Sequence, residues 1–220
     1  TYDNDIGVVA WNWDRKFTGR ANLDILASSK VRLEGSVGHI RDRIRLAQND
    51  INTDPFSQLV WGSPKFLNSP TRGFSNTPPE EWKNVVGRAD NDRTTLSFTA
   101  DYNPFSWFTN RLVTGLDVNA ENSSLLYPRT PLGSADPIGS DGLGRKSASR
   151  TSRSILTLDY SGNVKWGLSE ALRMTTSVGL QHYRSEASQI GATANTFGAE
   201  PLTTISNGTT RSLPPFPRIV

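Results

Sequence analysis

The side chains able to do covalent or metal chemistry are few. Cysteine is absent, and the only histidines are His39 and His182. Disulfides, thiol nucleophiles and Cys/His metal clusters are therefore excluded, and His-dependent acid–base catalysis is disfavoured. The stretch Gly139-Ser-Asp-Gly-Leu-Gly144-Arg-Lys-Ser147 comes close to a phosphate-cradling loop. Arg145 displaces the required Lys by one place, and no strand-to-helix pattern surrounds it, so it reads as a flexible Gly/Ser loop. Asp3-Asn-Asp5 and Asp90-Asn-Asp92 offer carboxylate oxygens without the spacing of a calcium loop. They read as solvated turn residues. No nucleophile–base pair and no supported pair of carboxylates emerges, so the chain reads as a non-enzyme without metal or cofactor.

What remains is binding chemistry. Phe56, Trp61, Phe66, Phe74 and Trp82 crowd into one Pro-rich stretch. Aromatic faces stack on sugar rings, so Trp61, Phe66, Phe74 and Trp82 are candidate ligand contacts. The same residues also suit the small core of a long loop packed on its own side chains. Arg111 and Asp117 are the candidate polar contacts; facing water is their plainer role.

These residues need elements to hold them. Period-two alternation recurs along the chain, while helical periodicity is weak. Phe17, Gly19, Ala21, Leu23 and Ile25 alternate with Thr18, Arg20, Asn22 and Asp24. After a turn at Ser28-Ser29-Lys30, Val31, Leu33, Gly35 and Val37 alternate with Arg32, Glu34 and Ser36. This predicts a hairpin over about 16–46. A second, over about 93–120, places Leu96, Phe98, Ala100 and Tyr102 before an Asn103-Pro104 turn, and Phe108, Leu112, Leu116 and Val118 after it. A third, over about 152–186, runs through Leu156, Leu158 and Tyr160, turns between Gly162 and Glu170, and returns through Leu172, Met174, Val178 and Leu180. Ile6–Trp13 is a possible seventh strand.

Long loops separate the hairpins, at about 47–92, 121–151 and 187–220. Short turns fall on one end and long loops on the other. A compact soluble domain rarely carries several such loops, whereas outer-membrane barrels do so routinely, with short periplasmic turns and long extracellular loops. Charge supports this. Arg20, Asp24, Arg32, Glu34, Asp101, Arg111, Asp117, Asp159 and Arg173 all fall on one predicted face, and none on the other. At 20% charged residues overall, about six of roughly 30 positions on the charge-free face would be expected to carry one. On the lipid face of a barrel a Lys or Arg at mid-bilayer costs about 2–4 kcal/mol. Tyr102, Phe105, Trp107 and Trp166 cluster near the short turns, as interfacial aromatics do. The fold class expected is all-β: antiparallel up-and-down strands forming part of a transmembrane β-barrel.

Bulk properties agree. The chain has 220 residues and a net charge of +3, which gives no nucleic-acid footprint. Mean hydropathy is −0.47, and no run of 18 apolar residues makes a transmembrane helix. Such a run is not needed by barrel strands. Six or seven strands fall short of the roughly eight that close a membrane barrel, so a wedge of a larger wall is expected. The ends, Thr1 and Pro214-Pro-Phe-Pro-Arg-Ile-Val220, fit an internal piece of a longer protein.

Arg93-Thr-Thr-Leu-Ser-Phe-Thr-Ala-Asp-Tyr-Asn-Pro-Phe-Ser-Trp-Phe108 with Arg111-Leu-Val-Thr-Gly-Leu-Asp117 resembles the mid-barrel region of SusC/RagA-type TonB-dependent outer-membrane receptors. So does Thr176-Ser-Val-Gly-Leu-Gln-His-Tyr-Arg184 with the Gly-rich stretch Ile190–Ile205, and the loop pieces Trp61-Gly-Ser-Pro64 and Gly73-Phe74 fit as well. The resemblance implies a parent protein with a 22-stranded barrel, an N-terminal plug and a TonB-contact segment, the last two not in this sequence. It implies location in the cell outer membrane, contact with its lipid, and energy-coupled import of a large nutrient, oligosaccharide or peptide. It further implies TonB and a SusD-like surface lipoprotein as partners.

The rival is a soluble β-sandwich that binds carbohydrate, whose strands would alternate in the same way. A sandwich would bury Leu96, Phe98, Leu116, Leu158 and Val178 against a second sheet; a barrel wedge points them outward. A β-rich hydrolase is disfavoured by the shortage of His and of convergent acids.

Overall fold

The computed structural model describes residues 1–47, 54–75, 78–130, 142–169 and 171–212. They form a single antiparallel up-and-down sheet of eight strands, each paired with its neighbours in chain order. The strands are β1 (Tyr2–Ile6), β2 (Trp13–Ser28), β3 (Val31–Leu46), β4 (Val86–Phe105), β5 (Phe108–Tyr127), β6 (Arg145–Ser169), β7 (Leu172–Phe197) and β8 (Gly208–Ser212). Short reversals at Ser29-Lys30, at Ser106-Trp107 and between Ser169 and Leu172 share one end. The connections 7–12, 47–85, 128–144 and 198–207 share the other.

Among the described residues no second sheet covers this one. Among the described residues the buried apolar side chains are Trp82, Val85, Ala194 and Phe197, all at the long-loop end. Leu96 and Phe98 are more than 40% exposed, Val178 is 66% exposed, and Leu116 and Leu158 are half-buried. A sandwich would have buried all five, so that architecture is ruled out for the described residues.

The register settles the faces, because residues directly opposite one another share a face. Leu23 opposes Gly35, Val37 opposes Leu96, Leu96 opposes Leu116, Leu116 opposes Leu156, and Tyr160 opposes Leu180. This links the apolar residues of all three hairpins into one continuous face. The nine charged residues named above fall on the other.

Counted from the short turns, the apolar face is free of charge up to Arg41 on β3, Asp92 on β4 and Arg184 on β7. These stretches run roughly ten to thirteen residues, slightly more than the roughly 9–11 that a tilted strand needs to cross a bilayer. Among the described residues no helix is long and apolar enough to cross one.

The turns also step downward along the sheet. The β2–β3 reversal lies level with Tyr102 and Asn110, while β4 and β5 continue to Phe105 and Phe108 before reversing. Phe108 lies level with Val164, and β6 continues to Ser169. Such progressive offset is the stagger that slanted barrel strands require.

Several expectations need correction. Ile6–Trp13 is not a strand: Ile6 ends β1 and Trp13 opens β2, with the reversal held by Gly7 N–H donating to Asn12 O at 2.8 Å. The run Gly7-Val-Val-Ala10 lacks alternation, and Val8 is fully open to solvent. Asn103-Pro104 is not the turn. Pro104 sits within β4 at a register irregularity between Tyr102 and Phe105, a place where a missing N–H is tolerated. The stretch from Gly162 is not a turn either; β6 pairs on through Gly162 opposite Val178 and Trp166 opposite Met174.

The strands also outrun the expected hairpins. β4 begins at Val86, β5 reaches Tyr127, β6 begins at Arg145, and β7 reaches Phe197 with β8 beyond it. These extensions lack sustained apolar alternation, so hydropathy gave no sign of them. Asp3-Asn-Asp5 and Asp90-Asn-Asp92 accordingly lie in β1 and β4 rather than in turns. Gly139–Asp141 and Leu213–Val220 lie outside the described residues. Arg145-Lys146-Ser147 open a strand, which leaves no helix to complete a phosphate loop.

Candidate functional site

Two regions carry the candidate contacts: the loop between β3 and β4, and the charged face of the sheet. The loop contains two short helices, α1 (Pro55–Val60) and α2 (Pro79–Trp82), and a 3-10 turn at Pro64–Phe66. Asp54 caps α1 by accepting from the N–H groups of Phe56 and Ser57. Its side chain satisfies donors that the first helical turn leaves open. Ser63 does the same for the 3-10 turn through the Lys65 N–H. The loop closes on itself where Ser63 N–H donates to Gly73 O at 2.9 Å. A Cβ on Gly62 would stand 2.5 Å from that oxygen, and Gly73 has φ +90°, so glycine is required at both positions.

The four loop aromatics separate into two pairs. Trp82 is buried and meets half-buried Phe74 edge to face, with ring centroids 5.3 Å apart. With Val85 they make the small core of the loop. Trp61 is 67% exposed and Phe66 is also open to solvent. The loop thus displays Trp61 and Phe66 and stands on Phe74 and Trp82.

On the charged face, salt bridges run between neighbouring strands. Arg32 on β3 grips Asp24 on β2 through two hydrogen bonds of 3.1 and 2.6 Å, and reaches Glu34 at 3.1 Å. Asp117 receives a two-pronged contact from Arg93, at 3.0 and 2.5 Å. Arg111 lies 3.8 Å from Asp101, its direct cross-strand neighbour. Arg111 and Asp117 therefore share a face but not a site. They are six residues apart on β5, about 20 Å at about 3.3 Å per residue.

Open hollows lie against this face. One, of about 340 Å³, is bordered by Arg111, Asp159, Ser161 and Gln181. Another, of about 250 Å³, is bordered by Asn91, Arg93, Asp117, Asn119, Arg153 and Ile155. In the second, the side-chain oxygens of Asn91 and Asn119 are shielded from solvent and have no partner. Arg93, Arg153 and the two asparagines were not singled out from the sequence. The pairing register brings them to Asp117, since Arg93 lies opposite Asn119 and Asn119 opposite Arg153.

Above the belt, at the open end of β2 and β3, the carboxyls of Asp14 and Asp42 face each other. Each has one shielded oxygen with no donor. A hydrogen bond to Asp42 holds the Asp14 carboxyl above the usual aspartate range; burial and repulsion from Asp42 add to this, and Lys16 opposes it. No group of three or more metal-binding side chains occurs among the described residues.

At the opposite end, Phe105 stacks on Trp107 at 5.1 Å and Trp107 on Phe108 at 5.8 Å, with the Lys30 ammonium 5.8 Å from the Phe105 ring. The Trp166 indole donates to Thr176 Oγ1 at 3.0 Å. These aromatics occupy the short-turn rim.

No protein-family model matches the chain, and no curated protein is significantly similar to it. Solved structures are similar. The RagAB peptide importer in its 'closed-closed' state matches with a TM-score of 0.68 over 92% of this chain at 16% identity. The 'open-open' state matches equally well, and a further RagAB peptide transporter structure has a TM-score of 0.69 over 90% of the chain. The chain spans about a quarter of the length of these solved chains, 23 to 25%. The resemblance to SusC/RagA-type receptors read from the residues thus holds at the level of the fold: this chain has the architecture of part of such a barrel wall.

Proposed function

We propose that the chain is a section of the barrel wall of a TonB-dependent outer-membrane transporter that imports a large nutrient, peptide or oligosaccharide. The observation that carries this is the continuous charge-free face, roughly ten to thirteen residues tall, on a single staggered sheet whose other face is charged. A soluble protein would have to cover that face; a lipid bilayer covers it without further structure. The plug, the TonB contact and a SusD-like surface lipoprotein belong to the rest of the parent assembly. The likeness to peptide importers makes peptide the first cargo to test. Of the four candidate aromatics, Trp61 and Phe66 are the ones open to cargo, while Phe74 and Trp82 pack on each other within the loop. Arg111 and Asp117 line the aqueous side.

The test is site-directed spin labelling of the full-length parent in phosphatidylcholine vesicles. Labels at Leu96, Leu158 and Val178 should collide with oxygen dissolved in lipid. Labels at Ser97, Asp159 and Gly179 should collide with a water-soluble nickel reagent. The reverse pattern, or no difference between the faces, overturns the reading. Uptake of fluorescent peptides and oligosaccharides by cells with and without TonB then separates the two cargo classes.

A further inference from the structure

The outward face changes character abruptly above its apolar belt. Five arginines, Arg15, Arg41, Arg43, Arg45 and Arg88, stand on neighbouring positions of β2, β3 and β4, against two acids, Asp90 and Asp92. The acids are taken: Asp92 accepts from Arg43 at 2.8 Å and lies 3.7 Å from Arg41, and Asp90 lies 3.8 Å from Arg43. Arg15, Arg45 and Arg88 have no carboxylate partner among the described residues. Arg15 rests over the Trp13 ring at 4.6 Å and donates to Asn4 Oδ1. Arg45 donates to the Lys83 carbonyl at 2.8 Å, and its Nε–H has no partner.

The register makes this arrangement costly as it stands. Arg15 lies directly opposite Arg43, and Arg45 directly opposite Arg88. Like charges at directly opposed positions destabilise a sheet, and no carboxylate among the described residues offsets the second pair. The patch faces the same way as the apolar belt and sits immediately above it, at the long-loop end. On the membrane reading given above, which this inference rests on, that is the headgroup level of the outward leaflet.

We infer that this arginine patch binds the phosphate groups of anionic lipid in the outward leaflet. Guanidinium forks match phosphate oxygens two at a time, and a phosphate between opposed arginines turns their repulsion into attraction. Phe17, on the same face and level with Arg41 at the belt side of the patch, suits the boundary between acyl chain and headgroup.

The experiment uses the full-length parent protein in detergent, with diphosphorylated lipid A as the probe and retention of bound lipid in native mass spectrometry as the readout. Wild type should retain lipid A in strong preference to phosphatidylcholine. The triple variant R15Q/R45Q/R88Q should bind it about tenfold more weakly or worse, as expected from removing three cations beside an anionic lipid. The corresponding triple Lys variant should keep part of the affinity. R20Q, which faces the other way, should match wild type. Insertion of each variant into phosphatidylcholine vesicles checks that the barrel still folds. Equal lipid A retention by the triple Gln variant overturns the inference, as does equal loss in R20Q. Inorganic phosphate displacing lipid A at matched phosphate concentration overturns the lipid assignment in favour of a free anion. If wild type inserts into phosphatidylcholine yet shows no lipid preference, only this inference fails. If it inserts into no bilayer, the membrane reading fails with it.

Discussion

Asp117 shows what a single residue can and cannot disclose. Its type and its place on the polar face were readable from alternation. Its partner Arg93 was not, because the pair is 24 residues apart and depends on register. The pair is two-pronged but open to water, so Asp117→Asn should cost about 0.5–1 kcal/mol. The urea unfolding midpoint of the full-length barrel in vesicles measures this, with Asp117→Glu expected to recover part of the loss. Asp14 gives a pH prediction. Its carboxyl holds a proton more tightly in the folded sheet than in the unfolded chain. Its contribution to stability is therefore fully present below the ordinary aspartate range and fades as pH rises through the raised value. Hydrogen-exchange protection at residues 13–16 should be greater at pH 4 than at pH 7, and Asp42→Asn should remove that difference. Equal protection at both pH values in the unaltered protein would refute it.

For whole strands, legibility followed the apolar belt. Strands announced themselves where one face is apolar and the other wet, as from Phe17 to Ile25 and from Leu96 to Tyr102. They disappeared where both faces are wet, as from Val86 to Asp92, and at positions whose residue types usually mark turns. Gly162 and Asn163 are ladder residues here because Val178 and Ser177 hold the other side. Pro104 is kept because the ladder already slips beside it. The belt itself yields a quantitative expectation. Leu158 is outward and close to the middle of the belt, so Leu158→Arg should destabilise the full-length protein in phosphatidylcholine vesicles by about 2–4 kcal/mol. Gln181→Arg, on the charged face opposite Asp159, should stay within about 0.5 kcal/mol. Comparable effects from both substitutions would mean that the faces have been assigned wrongly.

Taken as a whole, the molecule is a wall without an interior. Among the described residues neither face of the sheet has a second layer, and the few fully buried side chains gather at the long-loop end. The isolated 220-residue chain should therefore aggregate in detergent-free buffer and become monodisperse only in detergent, as size-exclusion chromatography would report. A soluble monomer with one cooperative melting transition would contradict this. The same absence of a core explains why loop aromatics were hard to read in advance: with no central layer to claim them, Trp82 turned inward within its own loop while Trp61 stayed outside.

The pairing order has a consequence for how such a wall is made. Among the described residues each strand pairs only with the strand before it and the strand after it, so no strand pairing skips over an intervening strand. Assembly can proceed in the order of synthesis, one hairpin laid against the last, with each newly placed strand serving as the template for its successor. β8 covers only the top of β7, along Thr193–Phe197, so the run from Leu172 to Ala192 remains open among the described residues. That run presents a row of unpaired backbone donors and acceptors, an edge on which another strand can pair.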